Sequence, residues 1–263
     1  MYGRLLAPSV VTIGVNPPGG ASYVRNVTCM TPPIFHNHHC ARIVVDDLFE
    51  SSDVVALKAL AEKGMSVRLA LGGPTILDLN TGYLRDTDGL VNLFNDDRYS
   101  GLINQADFEL YRRIIGKLKS HVESSFGMEE DYISFTAPTF ITRLDGRASW
   151  NPKELHDEYW HTHADMNNTA HYQYSGLMYL STYGDDFTGG MTCRYDVTEE
   201  ELVYPIKGRT VIFTSGPENP HRVARVTSGQ RFVLAFWFTR DARKKFDIFL
   251  DGKAHKSFKE KNN

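Results

Sequence analysis

The sequence has little sulfur, little net charge and no long apolar run. Its 263 residues include three cysteines, so at least one stays outside any intrachain disulfide. Nowhere do apolar residues approach the roughly 20 in succession that cross a bilayer, and no membrane span is expected in this chain. Lys and Arg number 29 against 32 Asp and Glu, a formal charge of −3, so no nucleic-acid partner is expected. No internal repeat is visible. Acidic residues are missing altogether between Met1 and Val45, where Arg4, Arg25 and Arg42 and the short apolar run Leu5–Val11 occur. That composition fits either the core of a targeting leader or an unstructured arm.

What is present suits one large globular domain, with 41% hydrophobic and 23% charged residues. Residues 1–41 read as a loop-rich N-terminal segment, with Pro17-Pro18-Gly19-Gly20, Pro32-Pro33 and the cluster His36-Asn37-His38-His39. The irregular spacing of those histidines favours a solvated loop over a metal site. A strand is expected over Arg42–Val45. A helix comes next, capped by Ser52 or Asp53, with Val54, Val55, Leu57, Leu60 and Ala61 on its apolar face and Gly64 at its end. A second helix is expected from Asn104 to Phe126, where Phe108, Tyr111, Ile114, Ile115, Leu118 and Val122 recur at helical spacing before Gly127.

After Ile133 the period shortens to that of strands. Runs over Ser134–Leu144, Tyr172–Tyr183, Gly190–Tyr195, Leu202–Ile206, Thr210–Phe213 and Gln230–Thr239 alternate with turn signals. The expected fold is α+β, mainly β: a jelly roll over residues 133–243 with helical support over 42–132, together one domain over 42–243, and a polar tail over 244–263.

The chemistry concentrates in His163-Ala164-Asp165 and His221. In extended backbone, residues i and i+2 face the same way, so His163 and Asp165 can share a cavity. A bare His-x-Asp arises often by chance, and a lone His163 would read as a hydrogen-bonded core imidazole. With His221 as a third donor, however, two imidazoles and a carboxylate occupy one face of an octahedron and leave positions open, the donor set of non-haem Fe(II) oxygenases. Ten residues after His221, Arg231 stands within the strand-like stretch Thr227–Trp237, a lone charge against the apolar Phe232–Trp237. A guanidinium there needs a buried anion, which a dicarboxylate such as 2-oxoglutarate supplies; the competing reading is an edge strand with Arg231 turned to solvent.

His163, Asp165, His221 and Arg231 at these spacings resemble the prolyl 4-hydroxylase-like branch of the Fe(II)- and 2-oxoglutarate-dependent oxygenases. Longer stretches extend that similarity over about Cys29 to Phe238, among them Asp157–His163, Phe213–Gly216 and Asn219–Val223. The resemblance implies a double-stranded β-helix with iron on His163, Asp165 and His221. It also implies that Arg231 binds the far carboxylate of 2-oxoglutarate, with Tyr179 as a second donor. The implied reaction is hydroxylation of a substrate by O2, prolyl-hydroxylase-like and on a peptide or protein side chain, with succinate and CO2 released and ascorbate as a candidate reductant. The rival reading is a metal-binding jelly roll without turnover.

Several residues admit two readings from sequence alone. His161 is either a neighbour of the iron site or a polar strand-end residue. Arg143 either lines the site's mouth or sits on the surface. Asp185–Gly190 is a candidate lip of a substrate groove, and Cys193 reads as a buried thiol. Cys29 and Cys40 can close a short loop, and Asn26-Val27-Thr28 and Asn167-Asn168-Thr169 are glycosylation acceptor patterns. These tilt the compartment toward the secretory pathway, with the mitochondrial matrix and cytosol left open.

Overall fold

A computed structural model describes residues 22–29, 40–69, 71–147, 149–152, 159–195 and 200–246, the side chains of 192–195 and 200–201 excepted. Its strands are β1 (Tyr23–Val27), β2 (Cys40–Val45), β3 (Gly73–Leu77), β4 (Tyr83–Asp86), β5 (Gly89–Asn92), β6 (Ser134–Phe135) and β7 (Phe140–Asp145). They continue with β8 (Tyr174–Tyr179), β9 (Phe187–Gly189), β10 (Thr192–Tyr195), β11 (Glu200–Val203), β12 (Thr210–Thr214), β13 (His221–Val223) and β14 (Val226–Thr239). The helices are α1 (Ser51–Met65), α2 (Gln105–Ser125) and the single turn α3 (Asp165–Asn168).

The large sheet runs β1-β2-β12-β8-β14-β7-β3-β4-β5, with β6 and β9 also paired to β14. A small sheet, β11-β10-β13, stands apart from it. β14 is the central strand, flanked by β7 and β8. Its alternation defines the two faces of the large sheet. Phe232, Leu234, Phe236 and Phe238 turn toward the core that α1 and α2 cover, together with Leu57, Leu60, Tyr111, Ile114 and Leu118. Each such side chain contributes about 1.5–3 kcal/mol on burial. The alternate residues Arg231, Val233 and Trp237 turn to the opposite face, where a cavity opens.

The helices obey most of their sequence signals, but Val55, expected on the apolar face of α1, is 52% exposed, and both ends of α1 differ from expectation. α2 begins in a capping box, in which the Asn104 side chain accepts from the Asp107 N–H and the Asp107 carboxylate accepts from the Asn104 N–H. α1 starts earlier than expected: Glu50 occupies the cap position without a side-chain hydrogen bond, and Ser52 and Asp53 lie inside the helix. Gly64 does not end α1 either. It is buried within the last turn, where a Cβ would come within 2.6 Å of Leu77 Cδ2, so its smallness serves the close approach of helix to β3.

The N-terminal half is less purely helical than its periodicity suggests. β2 begins at Cys40 and inserts between β1 and β12, while β3, β4 and β5 extend the opposite side of the sheet. β1 lies within the segment read as loop; it alternates exposed and half-buried positions along a sheet edge and shows no apolar stripe. A disulfide joins Cys29 to Cys40, with Cα atoms 5.3 Å apart. The run expected over Ser134–Leu144 is two strands, because Pro138 has no N–H to continue a ladder. The histidine cluster at 36–39 and the tail from 247 lie outside the described residues.

Candidate metal and keto-acid site

His163 and His221 are brought together by backbone pairing. The His163 N–H donates to the His221 carbonyl at 2.9 Å and the His221 N–H to the His163 carbonyl at 2.8 Å, an antiparallel bridge that sets the two side chains opposite each other. Their ring centroids are 4.6 Å apart. His221 begins β13, while His163 makes only this one bridge. The chain is still extended at Ala164, so the i, i+2 geometry holds, but Asp165 opens α3 and is not on a strand.

One ligand atom each from His163, Asp165 and His221 lies within 4.8 Å of the others. His163 Nε2 is 3.4 Å and His221 Nε2 3.8 Å from Asp165 Oδ1. The opposite ring nitrogens are committed elsewhere: His163 Nδ1 is 3.0 Å from the His161 carbonyl and His221 Nδ1 is 3.1 Å from the Asn219 carbonyl. A carbonyl only accepts, so in the neutral rings Nδ1 carries the hydrogen and Nε2 keeps its lone pair for a metal. Without a metal and with both rings protonated, burial pushes the Asp165 carboxyl up, but hydrogen bonds from His163, Ser175 and Trp237 and the charge of His221 outweigh it and hold the group well below the usual carboxylate range. Its partner His163 is raised, first by the hydrogen bond to Asp165. A divalent cation would take the place of those Nε2 protons, and an ionised carboxylate with two imidazole lone pairs is a donor set that fits ferrous iron.

Support behind His221 comes from β2 and β12. The buried Arg42 donates from Nε to Asn219 Oδ1 at 2.5 Å and from a terminal nitrogen to the Glu218 carbonyl at 3.2 Å. Asn219 Nδ2 in turn donates to the Thr214 carbonyl and hydroxyl, both at 2.9 Å. The loop that delivers His221 is thereby tied to the large sheet. Nothing in the sequence pattern of Arg42 announced that role.

A cavity of ≈ 270 Å³ lies between this cluster and the sheet, and Arg231 lines it. Arg231 is 2% exposed on the central strand, which removes the edge-strand reading. Burial lowers its pKa, and the phenol groups of Tyr179 and Tyr159 partly offset that. The guanidinium carbon stands 5.3 Å from the Tyr179 ring centroid. A buried guanidinium in a cavity shared with three metal-type ligands fits the distal carboxylate of a keto acid. Tyr179 itself packs with Val211, Phe213 and Val233, beside Arg231.

The remaining sequence candidates resolve differently. The His161 side chain is exposed; its carbonyl, which orients His163, is the part that matters. Arg143 neither lines the mouth nor reaches the surface. On β7 it alternates with the cavity residues Thr142 and Leu144, is 6% exposed, and donates to the Thr75 hydroxyl at 3.1 Å. Asp185–Gly190 forms a corner behind Arg231, where a Cβ on Gly190 would come within 2.9 Å of Arg231 Cδ. Cys193 lies on β10, its side chain outside the described residues. Sequence reasoning missed Ser175, Tyr159 and Trp237, all of which line the cavity. Only a polar atom on an aromatic or a small residue at an inward strand position could have marked them.

Comparison with known proteins agrees with this geometry. Residues 153–239 match the family described as the 2OG-Fe(II) oxygenase superfamily, a span that contains His163, Asp165, Tyr179, His221 and Arg231. The chain is 36% identical over 202 residues to the mouse 2-oxoglutarate and iron-dependent oxygenase domain-containing protein 3, covering 76% of this chain and 63% of that protein's length. It is 33% identical over 148 residues to chicken prolyl 3-hydroxylase 1, covering 51% of this chain and 20% of the relative. A solved prolyl hydroxylase from Trichoplax adhaerens, in complex with a hypoxia inducible factor peptide fragment, shares the fold with a TM-score of 0.51 at 16% identity, over 77% of this chain and 85% of that one. The family match and the oxygenase-domain relative agree that this chain carries a 2OG-Fe(II) oxygenase domain, and its fold is the double-stranded β-helix shared with the Trichoplax neighbour.

Proposed function

We propose that this chain is a 2-oxoglutarate-dependent hydroxylase acting on a side chain of a peptide or protein, with succinate and CO2 as co-products. The observation that carries the reading is the pairing of the His163, Asp165 and His221 ligand atoms with the buried Arg231 in one cavity. When bound, ferrous iron and 2-oxoglutarate supply the oxidant made from O2. The protein's own part is geometric. His163, Asp165 and His221 hold the metal from one side. Arg231, with the Tyr179 hydroxyl beside it, fixes the far carboxylate of the keto acid. Phe140, Leu144, Val223 and Trp237 line the space between and keep water out. Pro74 and Ile76 on β3, with Arg85 and Asp86 on β4, line the same cavity and are the residues that a bound peptide would meet. The peptide-bound Trichoplax neighbour and the prolyl hydroxylase relatives support that substrate class.

The test is succinate formation with Fe(II), ascorbate and 2-oxoglutarate, with and without a peptide pool. Succinate is expected from the parent, more of it with peptide, and none from His163→Ala. Stoichiometric metal binding without any succinate would instead favour a non-catalytic metal-binding jelly roll.

A further inference from the structure

We infer that Trp237 is a positioning residue that restricts Asp165 to one metal-binding oxygen and so keeps a coordination position free for O2. The inference rests on the oxygenase reading and goes beyond it.

The two oxygens of Asp165 face different partners. Oδ1 is the atom turned toward His163 Nε2 and His221 Nε2, at 3.4 and 3.8 Å. Oδ2 accepts a hydrogen bond from the Trp237 indole Nε1 at 3.0 Å. An indole N–H can only donate, so it can neither ligate a metal nor reverse the bond. Ser175 also hydrogen-bonds to this carboxylate, and its hydroxyl is 2.7 Å from that of Ser215.

The indole is held in place. Trp237 lies opposite Ser175 in the β14–β8 register, so the ligand's two donors sit side by side. Its ring stacks on Tyr172, with centroids 5.2 Å apart and planes at 22°, and Phe140 packs at 5.4 Å. Tyr172 is itself anchored by donation to the Ala137 carbonyl at 3.0 Å. The Asp165 backbone is equally fixed, because the Met166 N–H bonds the Ser215 carbonyl and the Thr169 N–H bonds the Asp165 carbonyl, both at 2.9 Å. Neither partner can drift far from the other.

The consequence is a count of positions. Two imidazoles and one carboxylate oxygen fill half of an octahedron, leaving two positions for a chelating keto acid and one for O2. If Asp165 bound through both oxygens, the keto acid would fill what remained. A hydrogen bond that occupies Oδ2 therefore bears on O2 access and much less on keto-acid affinity.

Water-proton relaxation on the Mn(II)-loaded protein reads this count directly. The parent should show three exchangeable metal-bound waters, falling to one with 2-oxoglutarate. Trp237→Phe keeps the ring stack and loses the N–H. It should show one water fewer in each state, with 2-oxoglutarate affinity within a few-fold of the parent and succinate turnover lowered about ten- to a hundredfold. A Trp237→Phe protein with the parent's hydration count and turnover would overturn the inference. So would a parent that shows only two waters before 2-oxoglutarate is added, a result that needs no variant to fold. Failure of the parent to bind Mn(II) at His163, Asp165 and His221 would refute the oxygenase reading itself.

Discussion

Replacing Arg231 with alanine separates a keto-acid oxygenase from a generic metal-binding jelly roll. Arg231 is 2% exposed, so any bonds it makes to a carboxylate form away from water. Hydrogen bonds to charged groups contribute about 1.5–3 kcal/mol each, and a guanidinium fork can offer two. The Tyr179 hydroxyl stays, and water entering the vacated space recovers part of the loss, which leaves about 1.5–3.5 kcal/mol. At about 1.4 kcal/mol per factor of ten, the 2-oxoglutarate dissociation constant should rise about ten- to several-hundredfold. Arg231→Lys should do less damage, since it keeps the charge and loses the fork. Metal affinity should barely change, because Arg231 is not a ligand. Calorimetric titration of 2-oxoglutarate into the Mn(II)-loaded variants decides the matter. If Arg231→Ala binds the keto acid as tightly as the parent, the anchor lies elsewhere and the assignment of the cavity's far end is wrong.

The fold and the compartment yield two more tests. Gly229 has φ +71° and a Cβ there would come within 2.1 Å of the Asp186 carbonyl oxygen, so Gly229→Ala should destabilise by about 2–3 kcal/mol and lower the melting temperature by about 4–12 °C. An unchanged thermal scan would count against the close β9–β14 corner. We propose that the protein matures in the secretory pathway, where the Cys29–Cys40 bond persists and the outward-facing Asn26 on the β1 edge meets the glycosylation machinery. Non-reducing peptide mapping of protein from its native source should find the disulfide and a glycan at Asn26. Free thiols at both cysteines with unmodified Asn26 would place maturation elsewhere.

The long periodic elements were legible in the sequence because their burial is one-sided. α2 carries its stripe from Phe108 to Val122, and β14 alternates Phe232, Leu234, Phe236 and Phe238 against residues of the other face. β1 was not legible, since an edge strand with no fully buried face has no apolar alternation to detect. β13 is three residues long, too short for any period. The metal-type donors could be picked out by chemistry, but the backbone bridge joining His163 to His221 depends on how distant segments pair, which spacing does not encode. The i, i+2 relation needs extended backbone only up to Ala164, so it brought Asp165 to the right side without revealing that Asp165 opens a helical turn. Trp237 was hidden in an apolar run where an indole reads as core packing, and its N–H matters only because Asp165 arrives opposite it.

The most direct test of the site is a crystal structure of the protein soaked with Mn(II) and 2-oxoglutarate under anaerobic conditions, with anomalous scattering to locate the metal. One metal peak is expected, bound by His163 Nε2, His221 Nε2 and Asp165 Oδ1 at about 2.0–2.3 Å, by analogy with other imidazole and carboxylate sites. The keto acid should chelate that metal and reach Arg231 with its far carboxylate. A metal bound away from these three residues, or a keto acid that leaves Arg231 untouched, would contradict the oxygenase assignment at its root.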